Sequence, residues 1–195
     1  MPFLKMNNNN YLVSIQKQFL YYKTLGEKAM AQLEPEQLFV SVNDDTNSIA
    51  VIVQHLSGNM LSRWTDFLTT DGEKEWRQRD TEFETVLTTK AEVDAAWKKG
   101  WACFFNAIHA LTPEQLDTII YIRNEGHTVM EAINRQLAHY PYHIGQIVFY
   151  AKMLKQGEWD SLSIPKNKSN HYNADKFAQE KSIKNFTDDE LDRLQ

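Results

Sequence analysis

The chain has 195 residues, 42% of them apolar and 24% charged, with a net charge of −5. That is enough chain for one domain with a sizeable core, and its acidic balance argues against sequence-independent affinity for nucleic acid, which needs a basic surface. One cysteine, Cys103, excludes an internal disulfide. No uncharged apolar run approaches the roughly 18 residues that span a bilayer, and MPFLKMNNNN lacks the features of a secretory signal. A soluble cytoplasmic protein is the expectation, with no nucleic-acid or membrane partner. We read one domain over 1–195, with a core of about 11–155 and a C-terminal extension over 156–195.

Residues 1–10 are expected to fray. A first helix is predicted over Tyr11–Leu33, with Leu12, Ile15, Phe19, Tyr22 and Leu25 or Ala29 on its buried stripe. Gly26 weakens its second half by about 1 kcal/mol relative to alanine, and Glu34-Pro35-Glu36 ends it. A second helix is predicted over Ser48–Leu68, capped by Asn47 or Ser48. Its core face is Ile49, Ile52, Val53, Leu56, Met60, Trp64 and Phe67. Ser48, His55, Asn59, Ser62 and Asp66 form a polar flank beside that face.

Residues 69–88 break the pattern, with charges crowded around single aromatics. A connection of that length without a clear helix points to a functional segment or a crossover. Fully extended, it outreaches the second helix, so it can return to the starting end and leave the second and third helices parallel. Arg63, Lys74, Arg77 and Arg79 bracket it and read either as a lid or, with Asp71, Glu73, Glu75 and Asp80, as a salt-linked surface.

The third helix opens on the capping box Thr89-Lys90-Ala91-Glu92 and continues through Val93, Trp97, Trp101, Phe104, Ile108 and Leu111. Cys103 falls inside this apolar run and reads as packing, not as a nucleophile. Thr112-Pro113-Glu114-Gln115 starts a short helix or turn, and Ile119–Ile122 reads as a brief strand or irregular segment. Leu33–Leu38 and Leu111–Leu116 share a Pro-Glu-Gln-Leu core, a weak internal echo.

The fourth helix, Thr128–Leu154, organises the chain. Met130, Ile133, Leu137, Tyr140, Ile144, Ile147, Ala151 and Leu154 recur at steps of three and four and lay down one apolar seam. Gln136, His139, His143, Gln146 and Tyr150 run beside it as a polar stripe. Pro141 is expected to kink the helix, because it cannot donate to the Leu137 carbonyl. After Leu154 the chain turns polar, and its last dozen residues suit a short charged helix.

His139 and His143, at i and i+4, can reach one metal ion. Neutral imidazole suits Zn²⁺, Ni²⁺, Fe²⁺ and Cu²⁺. His55, on the flank of another core helix, supplies a third nitrogen and leaves positions open for water or substrate. The alternative is histidines that satisfy one another at the edge of the core. Asn59 and Arg135 lie one turn from His55 and His139; Asn59 could orient a ligand or water, and Arg135 could meet an anionic substrate group. His109, His127 and His171 have no comparable arrangement. No phosphate-binding glycine loop or nucleophile triad is present.

His55 in an HLSGN stretch, followed by HYPYHIGQI, resembles the DinB/YfiT-like superfamily of helical metal-binding proteins, and the resemblance covers the first helix to Leu154. It implies an all-α fold: a four-helix bundle in up-down-down-up order with a long crossover between helices 2 and 3. It further implies a divalent metal, zinc or nickel foremost, on His55, His139 and His143, and homodimers. Characterised relatives of that kind include thiol-cofactor transferases and isomerases, in which the metal activates a low-molecular-weight thiol. The expectation is therefore a metal-dependent enzyme that transfers such a thiol to an electrophile or hydrolyses a small substrate. The alternative is a non-catalytic helical bundle that binds a ligand or protein partner.

Overall fold

A computed structural model describes residues 8–84 and 86–194. It is mostly helical, with one small sheet: α1 (Asn8–Met30), α2 (Ile49–Trp64), α3 (Lys90–His109), the strands β1 (Ile119–Ile122) and β2 (Glu125–Thr128), α4 (Val129–Leu154), α5 (Ser169–Phe177) and α6 (Phe186–Leu194). Of the stretch expected to fray, residues 8–10 are helical and residues 1–7 lie outside the described residues. No helix among the described residues is long and apolar enough to cross a membrane.

The helix ends follow local chemistry. The Ser48 hydroxyl accepts from the Val51 N–H at 3.3 Å and caps α2. Capping boxes at Thr89/Glu92 and Thr128/Glu131 start α3 and α4. α2 stops at Trp64, short of the predicted Leu68, because Thr65 is extended and Asp66 adopts a left-handed φ of 47°. α1 ends at Met30, also earlier than predicted, and a turn carries the chain on to Glu34. The two Pro-Glu-Gln-Leu segments form matching 3-10 turns, each with a capping box and a fully buried leucine, Leu38 or Leu116.

α2 packs along α3 and α1 along α4, with further contact between α2 and α4 and between α1 and α3. An aromatic cluster joins all four. Phe19 meets Phe104 edge-on at 4.5 Å, Phe104 meets Trp64 at 5.2 Å and Tyr140 at 5.6 Å, and Trp101 meets Tyr140 at 5.8 Å. Pairs of this geometry add about 0.5–1.5 kcal/mol each beyond the area they bury. The predicted seam of α4 faces this core, and the helix runs unbroken through Pro141. The extension does not trail away: α6 lies against α1, Leu162 and Leu194 join the core, and Lys17 pairs with Asp188 at 2.6 Å.

Ile119–Ile122 is a strand, paired antiparallel with Glu125–Thr128, and the fourth helix starts directly after the second strand. The hairpin turns on Arg123 and Asn124, whose φ values of 57° and 62° suit a two-residue turn of the primed type. The Asp71 carboxylate accepts from both of their backbone N–H groups, at 2.8 and 2.9 Å, and the Gly72 N–H donates to the Tyr121 carbonyl at 2.8 Å. The tip of the hairpin is thereby tied to the start of the crossover.

α2 and α3 approach closely at Gly100, where an added Cβ would stand 2.9 Å from the Cα of Ser57. Alanine there would gain about 1 kcal/mol of helix propensity, but backbone cannot rotate away as a side chain can, and overpacking costs about 1–3 kcal/mol. Gly100→Ala is expected to lower the urea unfolding midpoint; an unchanged or raised midpoint would show that the two helices separate freely.

Candidate metal centre

The three histidines predicted from sequence meet at one point. His55 comes from α2, buried beside the core, and His139 and His143 come from successive turns of α4. Nε2 of His139 lies 3.3 Å from Nε2 of His55 and 3.1 Å from Nε2 of His143, and the ligand atoms of all three fall within 4.8 Å of one another.

Each ring turns its other nitrogen to an oxygen. His55 Nδ1 donates to Glu82 Oε2 at 2.9 Å, His139 Nδ1 to Gln136 Oε1 at 3.3 Å, and His143 Nδ1 to Gln146 Oε1 at 2.8 Å. These partners place the ring protons on Nδ1 and leave three Nε2 lone pairs facing one another. Lone pairs at 3.1–3.3 Å repel unless a cation stands between them. An ion at about 2.0–2.1 Å from each nitrogen spans such separations. The three histidines could therefore hold a metal ion.

Charge and burial agree with this use. Burial pushes the pKa of His139 down to about 3, helped by the positive charges that His143, His55, Arg135 and Arg63 would present. Burial lowers that of His143 too, against the opposing hydrogen bond to Gln146. Both rings are neutral at physiological pH, the form a metal requires. Burial alone would raise the Glu82 pKa, but hydrogen bonds from Arg77 and His55 hold it below the usual carboxylate range.

Two sets of interactions fix the rings in space. The buried Tyr140 hydroxyl, next in sequence to His139, accepts from Trp64 Nε1 at 3.0 Å and donates to Asn59 Oδ1 at 3.1 Å, bolting α4 to α2. Asn59 thus lines the cavity but spends its oxygen on Tyr140. The second set belongs to the crossover, which lies over the site and is also salt-linked, Glu73 pairing with Arg63 and Arg77, and Glu82 with Arg77. The Gln54 side-chain amide donates to the carbonyls of Thr81 and Glu84 at 2.8 and 3.2 Å and holds the 3-10 turn Asp80–Phe83. That turn presents Glu82 to His55 and stacks Phe83 on the His55 ring at 4.8 Å.

Glu82, Phe83 and Arg123 are the site residues that sequence reasoning missed. Glu82 lies in an aperiodic stretch that gives no register, and Arg123 enters through a hairpin turn lacking glycine. The only signal was the length of the crossover and its alternating charges. Cys103 lies elsewhere, half-buried with Sγ 3.9 Å from the Met60 carbonyl and 3.5 Å from Thr65 Oγ1. It borders a cavity of about 480 Å³ whose one charged group is Asp66. His109, His127 and His171 lie away from the centre, His109 tilted against Phe105 and His171 beside Asp175.

Gly58 offers a test of the Glu82 contact. A Cβ there would touch Oε1 of Glu82 and stand 2.8 Å from its Cδ, while Arg77 and His55 prevent the carboxylate from swinging aside. Gly58→Ala should preserve helicity but weaken zinc binding by about 10–100-fold, the usual cost of losing an outer partner of a ligand histidine. Glu82→Gln should fall in the same range. Wild-type zinc affinity in both, measured by competition with a chromogenic chelator, would remove Glu82 from the site.

Comparison with curated proteins and with solved structures gave no match in either case. One family does match, described as "Protein of unknown function (DUF1572)", over residues 6–168. That span holds all four long helices, the crossover and the three converging histidines, and the chain belongs to the DUF1572 family.

Proposed function

We propose that the chain is a divalent-metal-dependent enzyme with His55, His139 and His143 as the ligands. The observation that carries this reading is the convergence of three Nε2 atoms whose rings are each oriented through Nδ1 by an oxygen partner. A set of lone pairs aimed at one another costs stability in a protein with no cation to bind. The H…HxxxH spacing, the long crossover and the pairing of α1 with α4 and α2 with α3 favour a four-helix bundle in up-down-down-up order, related to the DinB/YfiT-like superfamily and, with it, a homodimer.

A divalent ion, zinc or nickel foremost, would supply Lewis-acid activation of a thiol, water or carbonyl at its open positions. The chain's own residues do the rest. Glu82 orients the His55 ring and adds negative charge behind it, and Gln136 and Gln146 do the same for the other two rings without charge. Phe83 shields one face of His55 from water. The cavity beside the histidines is about 340 Å³, a size for a small molecule. The reaction class we assign is transfer of a low-molecular-weight thiol to an electrophile, with hydrolysis of a small substrate as the variant in which water takes the place of the thiol.

The test is metal content. Protein purified without a histidine tag, stripped and titrated with Zn²⁺ or Ni²⁺, should bind one equivalent per chain. His55→Ala and His139→Ala should lose it while keeping their helical spectrum. At a zinc concentration 100 times its Kd the wild type should gain about 2.7 kcal/mol against unfolding, by mass action alone, and the variants nothing. If the wild type binds as little metal as His55→Ala, the enzyme reading falls and a non-catalytic bundle remains.

A further inference from the structure

The cavity beside the histidines is lined by five arginines, Arg63, Arg77, Arg79, Arg123 and Arg135, in a chain whose net charge is −5. Composition does not account for such a concentration. Two carboxylates answer it. Glu82 takes Arg77 through Nε at 2.7 Å and Nη2 at 2.9 Å. Glu73 takes Arg63 and Arg123 at 3.0 Å and the remaining Arg77 nitrogen at 3.4 Å.

Arg79 and Arg135 are left over. Among the described residues neither pairs with a carboxylate. Arg135 sits one turn before His139 on α4. Arg79 sits on the crossover, its guanidinium 5.4 Å from the Phe83 ring that stacks on His55. The two reach the histidine cavity from different walls. Deeper in, Nε of Arg63 is buried with no hydrogen-bond partner, on a residue only 7% exposed. A buried N–H without an acceptor is costly, so Arg63 adds to the positive field of the cavity at some cost to stability.

We propose that the substrate of this site carries an oxyanion, a carboxylate or a phosphate, held by Arg79 and Arg135 while the reacting atom of the same molecule faces the histidines. Guanidinium is the side chain suited to such groups, because its planar N–H fork matches two oxygens at once. The inference rests on the proposed reading of the cavity for the place of the reacting atom, but not for the anion contact, which the arginines make with or without a metal.

Inorganic phosphate and succinate serve as probes, titrated by calorimetry at low salt into metal-free and zinc-loaded wild type. One or both should bind saturably, one per chain, to the metal-free protein, and more tightly once zinc is present. A response to phosphate alone assigns a phosphorylated substrate, and a response to succinate alone assigns a carboxylic acid. Arg79→Ala and Arg135→Ala, both at exposed positions, should each weaken binding about tenfold or more, the worth of one charge-assisted hydrogen-bonded contact. Both should still take up one equivalent of zinc. No saturable binding of either anion, or binding unchanged in both variants, overturns the inference whatever the zinc stoichiometry. Anion binding that persists in a protein unable to hold zinc contradicts the metal reading and leaves this one standing.

Discussion

Glu82 is a carboxylate with almost no water around it, held on one side by two nitrogens of Arg77 and on the other by the ring of His55. Burying that charge costs several kcal/mol before any partner is counted. Arg77, itself nearly inaccessible, returns most of the cost through two parallel hydrogen bonds. The remaining oxygen capacity goes to the Nδ1 proton of His55, and this fixes which ring nitrogen points into the cavity. As a contribution to stability such a buried arrangement is close to neutral compared with an apolar replacement. As a constraint on geometry it is decisive, because it sets the tautomer and orientation of the histidine farthest in sequence from the other two.

The same contact explains the crossover. A segment of about 20 residues without regular structure is hard to order from its own contacts. Here it is tied at three places. Asp71 and Gly72 bind it to the β-hairpin, Ser62 and Arg63 of α2 both donate to the Gly72 carbonyl, and Gln54 and His55 of α2 hold the turn that carries Glu82. Residues on or beside these ties, Arg63, Arg77, Arg79 and Arg123, line the histidine cavity. The segment orders itself by building the wall of the site, so its sequence answers to the site and not to a helical or strand period.

That division decides what the sequence could reveal. The four long helices were legible because each buries a stripe at steps of three and four, and the caps at Ser48 and Thr89 set two starts to within a residue. His139 and His143 were legible as a pair from their spacing on one helix. His55 was legible from its place beside the seam of α2, a weaker argument that the convergence within 4.8 Å now supports. Glu82 was not legible, because it reaches His55 from 27 residues away through a turn with no amphipathic pattern. Four of the five cavity arginines were read from the sequence, Arg63, Arg77 and Arg79 as a lid or a salt-linked surface and Arg135 as a group for an anion, but Arg123 was not, since it arrives on a hairpin whose left-handed turn uses Arg-Asn and not Asn-Gly. The predicted end of α2 at Leu68 failed because Asp66 takes a positive φ, which apolar periodicity cannot foresee. The placement of α6 on α1 depends on Lys17, Leu194 and Asp188 meeting across most of the chain, and no local signal encodes that.

The proposed chemistry requires three imidazole nitrogens to share one cation. X-ray absorption at the zinc edge of the loaded protein measures this without relying on activity. It should give nitrogen or oxygen neighbours at about 2.0–2.1 Å, with outer-shell scattering from three imidazole rings that falls to two in His55→Ala. A first shell of oxygen alone, or one whose imidazole scattering is the same with and without His55, would show that the three rings do not share the ion.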